Sequence, residues 1–92
     1  MRIEWARPAI QDLQDAAAFI ANDNPAAAAR MASRVREAVE SLADQPNLGR
    51  PGRLLNTREL VVTGTPFLVV YRVHLGALQV LRVLHHARRW PA

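Results

Sequence analysis

The stretch that decides the fold is "PFLVVYRVHLGALQVLRVLHH", residues 66–86. Two apolar runs, 66–74 and 78–86, flank Gly76. Both are dense in β-branched and aromatic side chains, which suit a pleated backbone. A glycine between two such runs marks a hairpin. Alternation puts Phe67, Val69, Tyr71 and Val73 on one face of the first run, and Leu78, Val80 and Leu84 on one face of the second. The positions between them, Leu68, Val70, Leu81 and Val83, are apolar as well. A sheet apolar on both faces needs cover on both.

Working outward, "TRELVV" at 57–62 predicts a strand joined to this hairpin by "TGTP", so three strands form a meander. Before it lies "DQPNLGRPGR" at 44–53, a loop of Pro, Gly and Asn. Further back, Ile10, Leu13, Ala17 and Ile20 follow helical spacing, with Pro8 suited to a first turn. Asp12 and Asp15 lie near that helix start, where the dipole favours anions. "NDNP" breaks the helix. Asn24 can cap a second one with Pro25 in its first position, running to about Ala43 with Ala28, Met31, Val35, Val39 and Leu42 as its buried stripe. "RIEW" at 2–5 alternates as a short first strand, with Ile3 and Trp5 on one face. The expected fold is α+β in the order β-α-α-β-β-β, a helix hairpin packed on one face of a small, mainly antiparallel sheet. The helices can cover one face only. Either the long loop around 46–56 folds over the other, or a protein partner does.

Ninety-two residues make a single domain, 1–92. The absence of cysteine excludes disulfides and cysteine-based zinc sites, and fits a reducing cytoplasm. The N-terminal segment does not read as a signal peptide, and no run approaches the roughly 18 apolar residues of a membrane span. All twelve basic residues are arginine. That bias suits phosphate recognition, and it also suits the codon usage of a GC-rich genome. Its distribution says more. Residues 1–59 carry eight Arg and eight acids, whereas 60–92 carry Arg72, Arg82, Arg88 and Arg89 with no acid, and all three histidines. A one-signed region attracts an acidic partner, RNA or DNA.

Three arginines, Arg58, Arg72 and Arg82, interrupt apolar strands. With a Gly76–Ala77 turn, Arg72 pairs with Leu81, and Arg82 falls on the opposite face. A half-residue shift puts Arg72 and Arg82 on one face, where like charges are unfavourable unless an anion sits between them. The competing reading has them reach solvent along apolar stems. His85 and His86 alternate faces, so one of them could serve as general acid or base beside arginines; a polar strand end is the simpler reading. No metal-ligand spacing and no phosphate loop occurs, so no metal or cofactor is expected. Ser33 and Ser41 lie on the second helix, away from the histidines. Trp90 can stack on a base or partner, or pin the tail to the core.

Five segments in order, "ARPAIQDLQDAAAFIANDNPAAAARM", "LADQPNLGRPGR", "TREL", "PFLVVYRV" and "LRVLHHARRWP", resemble the RelE/ParE superfamily of type II toxin–antitoxin toxins, with the ParE branch nearest. The resemblance covers nearly the whole chain. It implies a cytoplasmic toxin neutralised by a cognate antitoxin, whose acidic C-terminal segment would cover the doubly apolar sheet. The antitoxin-contact candidates are then Leu68, Val70, Arg72, Leu81, Arg82 and Val83. RelE-like members cleave mRNA on the ribosome, and ParE-like members inhibit DNA gyrase. A nuclease here would draw on Arg58, Arg72, Arg82, His85 and His86. The chain lacks lysine and a C-terminal tyrosine, and arginines without a clear base are incomplete for attack by a 2′-hydroxyl. The expectation is therefore a gyrase inhibitor, not an enzyme, with Arg88, Arg89 and Trp90 as target contacts. Ribosome-dependent mRNA cleavage and a non-toxic, antitoxin-binding relic stand as alternatives. Direct nucleic-acid binding is left open.

Overall fold

The computed structural model describes residues 1–86 and 89–91. Its elements are β1 (Arg2–Trp5), α1 (Arg7–Ala21), α2 (Pro25–Asp44), β2 (Arg50–Pro51), β3 (Arg58–Val61), β4 (Phe67–His74) and β5 (Ala77–His85). One five-stranded sheet has the order β1-β5-β4-β3-β2. β1 runs parallel to β5, and the other neighbours are antiparallel. The helix hairpin is the crossover that a parallel pair requires.

The α+β order is the expected one, with β2 added inside the segment read as a loop. Two residues are too few to show periodicity, and a proline is tolerated there because the strand lies at the sheet's edge. Local signals behave as the sequence suggests. The Asn24 side chain accepts a hydrogen bond from the Ala27 N–H at 3.0 Å, and Pro25 opens α2.

The β4–β5 hairpin turns at Leu75–Gly76, not at Gly76–Ala77. Both residues have positive φ, 50° and 74°, as a two-residue turn of this hand demands. Nearer the other end the ladder slips. Val70 faces Arg82 while Tyr71 faces Val80, so Leu81 is an extra residue in β5. This bulge changes the phase of alternation. Leu78, Val80 and Val83 join the core under the helices, whereas Leu84 goes to the other face. The single-frame alternation had grouped Leu84 with Leu78 and Val80.

The core between sheet and helices is built on Val35, Val39 and Leu42 from α2, and on Val69, Tyr71, Leu78 and Val80 from the hairpin. Tyr71 is fully buried, yet its hydroxyl is satisfied. It donates to the Pro46 carbonyl at 2.6 Å and accepts from the Gly49 N–H at 2.9 Å, which ties the loop after α2 to the sheet. Gly49 is required by this approach, since a Cβ there would lie 2.6 Å from the tyrosine oxygen.

Two stability changes follow from these positions. Leu75 is exposed and left-handed, a conformation that asparagine adopts more readily, so Leu75→Asn is expected to stabilise the protein by up to about 1 kcal/mol in urea unfolding. Gly49→Ala overpacks Tyr71 and is expected to destabilise by about 1–3 kcal/mol in the same experiment.

Candidate functional site

The face of the sheet opposite the helices carries its own small core. Leu68, Val70 and Leu84 are buried there, with Leu81 and Trp90 packed against them. Trp90 belongs to the tail, so the chain itself supplies cover for this patch. Leu68 and Val70 thus lie in the layer beneath Trp90, Leu81 stands beside it, and Val83 faces the helices because of the bulge.

Glu59 sits on the same outer face, opposite Val70, with its side chain 1 % exposed. A carboxylate this deep needs partners. Its Oε2 accepts the Arg53 backbone N–H at 3.0 Å, and its Oε1 accepts Arg53 Nη2 at 3.0 Å and Nε at 3.2 Å. Arg50 Nη2 adds a longer bond at 3.4 Å. Burial alone pushes this carboxyl up. The Arg53 N–H, the Arg53 guanidinium and Arg50 more than offset that, so its pKa lies below the usual glutamate value. The remaining fork nitrogen of Arg53, Nη1, donates to the Trp90 carbonyl at 3.0 Å.

On the other side of Trp90 stands Arg82. β1 ends at Trp5, opposite Val80, and leaves the β5 edge without a strand beyond that point. Asp12 of α1 fills the gap. Its Oδ2 accepts the Val83 N–H at 3.0 Å and Arg82 Nε at 2.7 Å, and its Oδ1 accepts Arg82 Nη2 at 2.9 Å. The guanidinium carbon then lies 5.4 Å from the Trp90 ring centroid, in cation–π range.

The register thus puts Arg72 and Arg82 on one face, where each meets a side chain of its own. Arg72 Nε donates to Gln79 Oε1 at 2.7 Å, and Gln79 in turn donates to Glu4. Arg58, on the Tyr71 side, donates to the Gly49 carbonyl at 2.7 Å. It lines a cleft of about 330 Å³ with Pro46, Asn47, Asn56, Thr57 and also Arg72, which borders the same cleft. The three strand arginines therefore have three separate partners. His85 meets Phe67 edge-on at 5.7 Å. The strand ends there, so simple alternation does not extend to His86, and the two imidazoles lie side by side with centroids 5.1 Å apart. Arg89 is exposed, and Arg88 lies outside the described residues.

Among the described residues, no group of three His, Cys, Asp or Glu side chains could hold a metal ion. No described helix is long and apolar enough to cross a membrane. The residues that organise the outer face, Asp12, Arg53 and Glu59, are not among the candidate site residues read from the sequence, where Asp12 figured only for its place near a helix start. Glu59 carried a readable signal: an acid inside "RELVV", the last before an acid-free third, needs cations brought to it.

Residues 3–90 match the family described as ParE toxin of type II toxin–antitoxin system, parDE. The chain is 41 % identical over 90 residues to the Putative toxin Y4kP of Sinorhizobium fredii, covering 98 % of this chain and 93 % of that one. It is 37 % identical over 87 residues to the Toxin RelE2 of Caulobacter vibrioides, covering 95 % and 97 % respectively. A solved structure of the chromosomal ParDE toxin–antitoxin system from P. aeruginosa superposes with a TM-score of 0.82 at 26 % identity, over 92 % of this chain and 95 % of that chain.

Glu59→Gln leaves Arg53 without its charge partner and is expected to cost about 2–3 kcal/mol near neutral pH. Because the folded-state pKa of Glu59 is depressed, its contribution is fully present above the ordinary glutamate range and is lost as pH falls through the lower, folded value. Urea unfolding from pH 7 to pH 3 should therefore show the difference between wild type and Glu59→Gln shrinking on the acid side.

Proposed function

Because the chain belongs to the family of ParE toxins of type II toxin–antitoxin systems, we propose that it acts in the cytoplasm by binding DNA gyrase and halting it, with Arg88, Arg89 and Trp90 as contacts. In this reading it performs no covalent chemistry of its own. The supporting observation is that each strand arginine is held by a partner of its own, even though Arg58 and Arg72 border one cleft. RNA cleavage by 2′-hydroxyl attack needs a base and clustered cations around one phosphate. Here Arg82 is committed to Asp12, Arg72 to Gln79 and Arg58 to a main-chain carbonyl. Such an arrangement serves a protein-binding surface better than a phosphodiesterase centre.

The toxin's system includes a cognate antitoxin, and its acidic C-terminal segment is the proposed cover for the basic outer face. Arg72, Leu81 and Arg82 are the partly exposed members of that surface, Leu68 and Val70 lie beneath it, and Val83, in the helix-facing core, drops out of the contact set. Ribosome-dependent mRNA cleavage is the second reading. It draws on the Caulobacter relative, which carries the RelE name, and it would place Arg58, Arg72, Arg82 and one of His85 or His86 at the scissile phosphate.

The decisive experiment sets purified toxin against gyrase supercoiling and, in parallel, against mRNA in a translating extract. The expected result is blocked supercoiling with intact transcripts. Alanine at both Arg88 and Arg89 should weaken inhibition about tenfold or more, with a smaller effect from alanine at His85 and His86. Cut transcripts with normal supercoiling would establish the ribosomal reading instead. Unimpaired growth on induction without antitoxin would mark a non-toxic, antitoxin-binding relic.

A further inference from the structure

The tail is gripped at one residue from two directions. Arg53 comes from the loop between β2 and β3, and Arg82 from the β5 bulge. Each is fixed by its own carboxylate, Glu59 or Asp12, before it meets Trp90. The indole itself contributes little direction, since Trp90 Nε1 is buried and has no hydrogen-bond partner among the described residues. Packing on Leu68, Val70 and Leu84 holds the ring against the sheet but does not select one register for the backbone. The Trp90 carbonyl is a directional acceptor, and its donor is Arg53 Nη1.

We propose that Arg53 is the positioning residue of the C-terminal tail, and that its bond to the Trp90 carbonyl sets the register in which the neighbouring arginines meet the target. The assignment rests on the tail being the contact surface. Arg53 suits the task because its fork divides the work. Nε and Nη2 stay on Glu59 Oε1, the backbone N–H stays on Oε2, and Nη1 is left to reach the tail. With main chain and side chain both anchored on one buried carboxylate, the guanidinium has little freedom left to lose when it binds the carbonyl. Lysine, a point charge on a mobile stem, cannot hold both partners in this geometry. A purely structural role would leave Trp90 in place when Arg53 is changed.

The test uses the full chain carrying Trp5→Phe, which leaves Trp90 as the sole tryptophan. Arg53→Ala and Arg53→Lys are compared by circular dichroism, Trp90 emission, acrylamide quenching and gyrase inhibition. Arg53→Lys keeps a cation beside Glu59, so it guards against a loss of folding in Arg53→Ala. The expected result is an unchanged helical signal, red-shifted emission, quenching raised about twofold or more, and inhibition weakened about tenfold. Trp90 staying shielded in both folded variants overturns the proposal. So does an exposed Trp90 with undiminished inhibition. If the parent protein does not inhibit gyrase while Trp90 still responds to Arg53, the positioning role stands and the gyrase reading falls.

Discussion

Between Val70 and Tyr71 the β4–β5 ladder admits one unpaired residue, Leu81, and both faces of the sheet take their composition from it. In an uninterrupted ladder a single alternation governs nine residues of β5. With the bulge, Val83 enters the helix-facing core and Leu84 the outer one, so each face receives a buried aliphatic at the far end of the strand. The same slip brings Arg82 opposite Val70, at a level where β1 no longer flanks β5 and α1 offers Asp12 instead. One inserted residue thus directs a hydrophobic layer, an ion pair and the seat of the tail's tryptophan.

Charge follows the same economy of placement. The acid-free last third is answered by carboxylates from earlier in the chain: Asp12 holds Arg82, and Glu4 reaches Arg72 through Gln79. Glu59 draws in Arg50 from β2 and Arg53 from the loop that follows it. Arg82 thus meets a carboxylate directly and Arg72 through Gln79, while Arg58 meets a main-chain carbonyl and Arg89 in the tail stands exposed.

Much of this was legible in the residues. Helical spacing and the Asn24–Pro25 start located the second helix, and the β-branched runs located the hairpin. What could not be read was phase. A run apolar at every position satisfies two alternating frames equally, so neither the bulge nor the face of Val83 was determined. Asp12 shows the same limit. Its place near a helix start suggested a dipole role, whereas its contacts are with a strand edge seventy residues away. Arg53 sat in a segment that looked like plain loop, because its function depends on a glutamate six residues on and a tryptophan thirty-seven residues on. The family resemblance agreed with the architecture read from the residues and supplied the partner class, but not these pairings.

The parallel pairing of β1 with β5 has a temporal meaning. The β4–β5 hairpin closes across a two-residue turn, whereas Arg2 meets Ala77 only after a loop of most of the chain has closed. Long closures of this kind come late in folding and slow it. A chain still lacking residues 77–80 has its helices but no strand for β1 to join, and no β5 on which the outer face and its tryptophan seat could form. Partial chains emerging during synthesis are accordingly without the surface proposed for toxicity. That surface requires β5, the same strand on which β1 later completes the sheet.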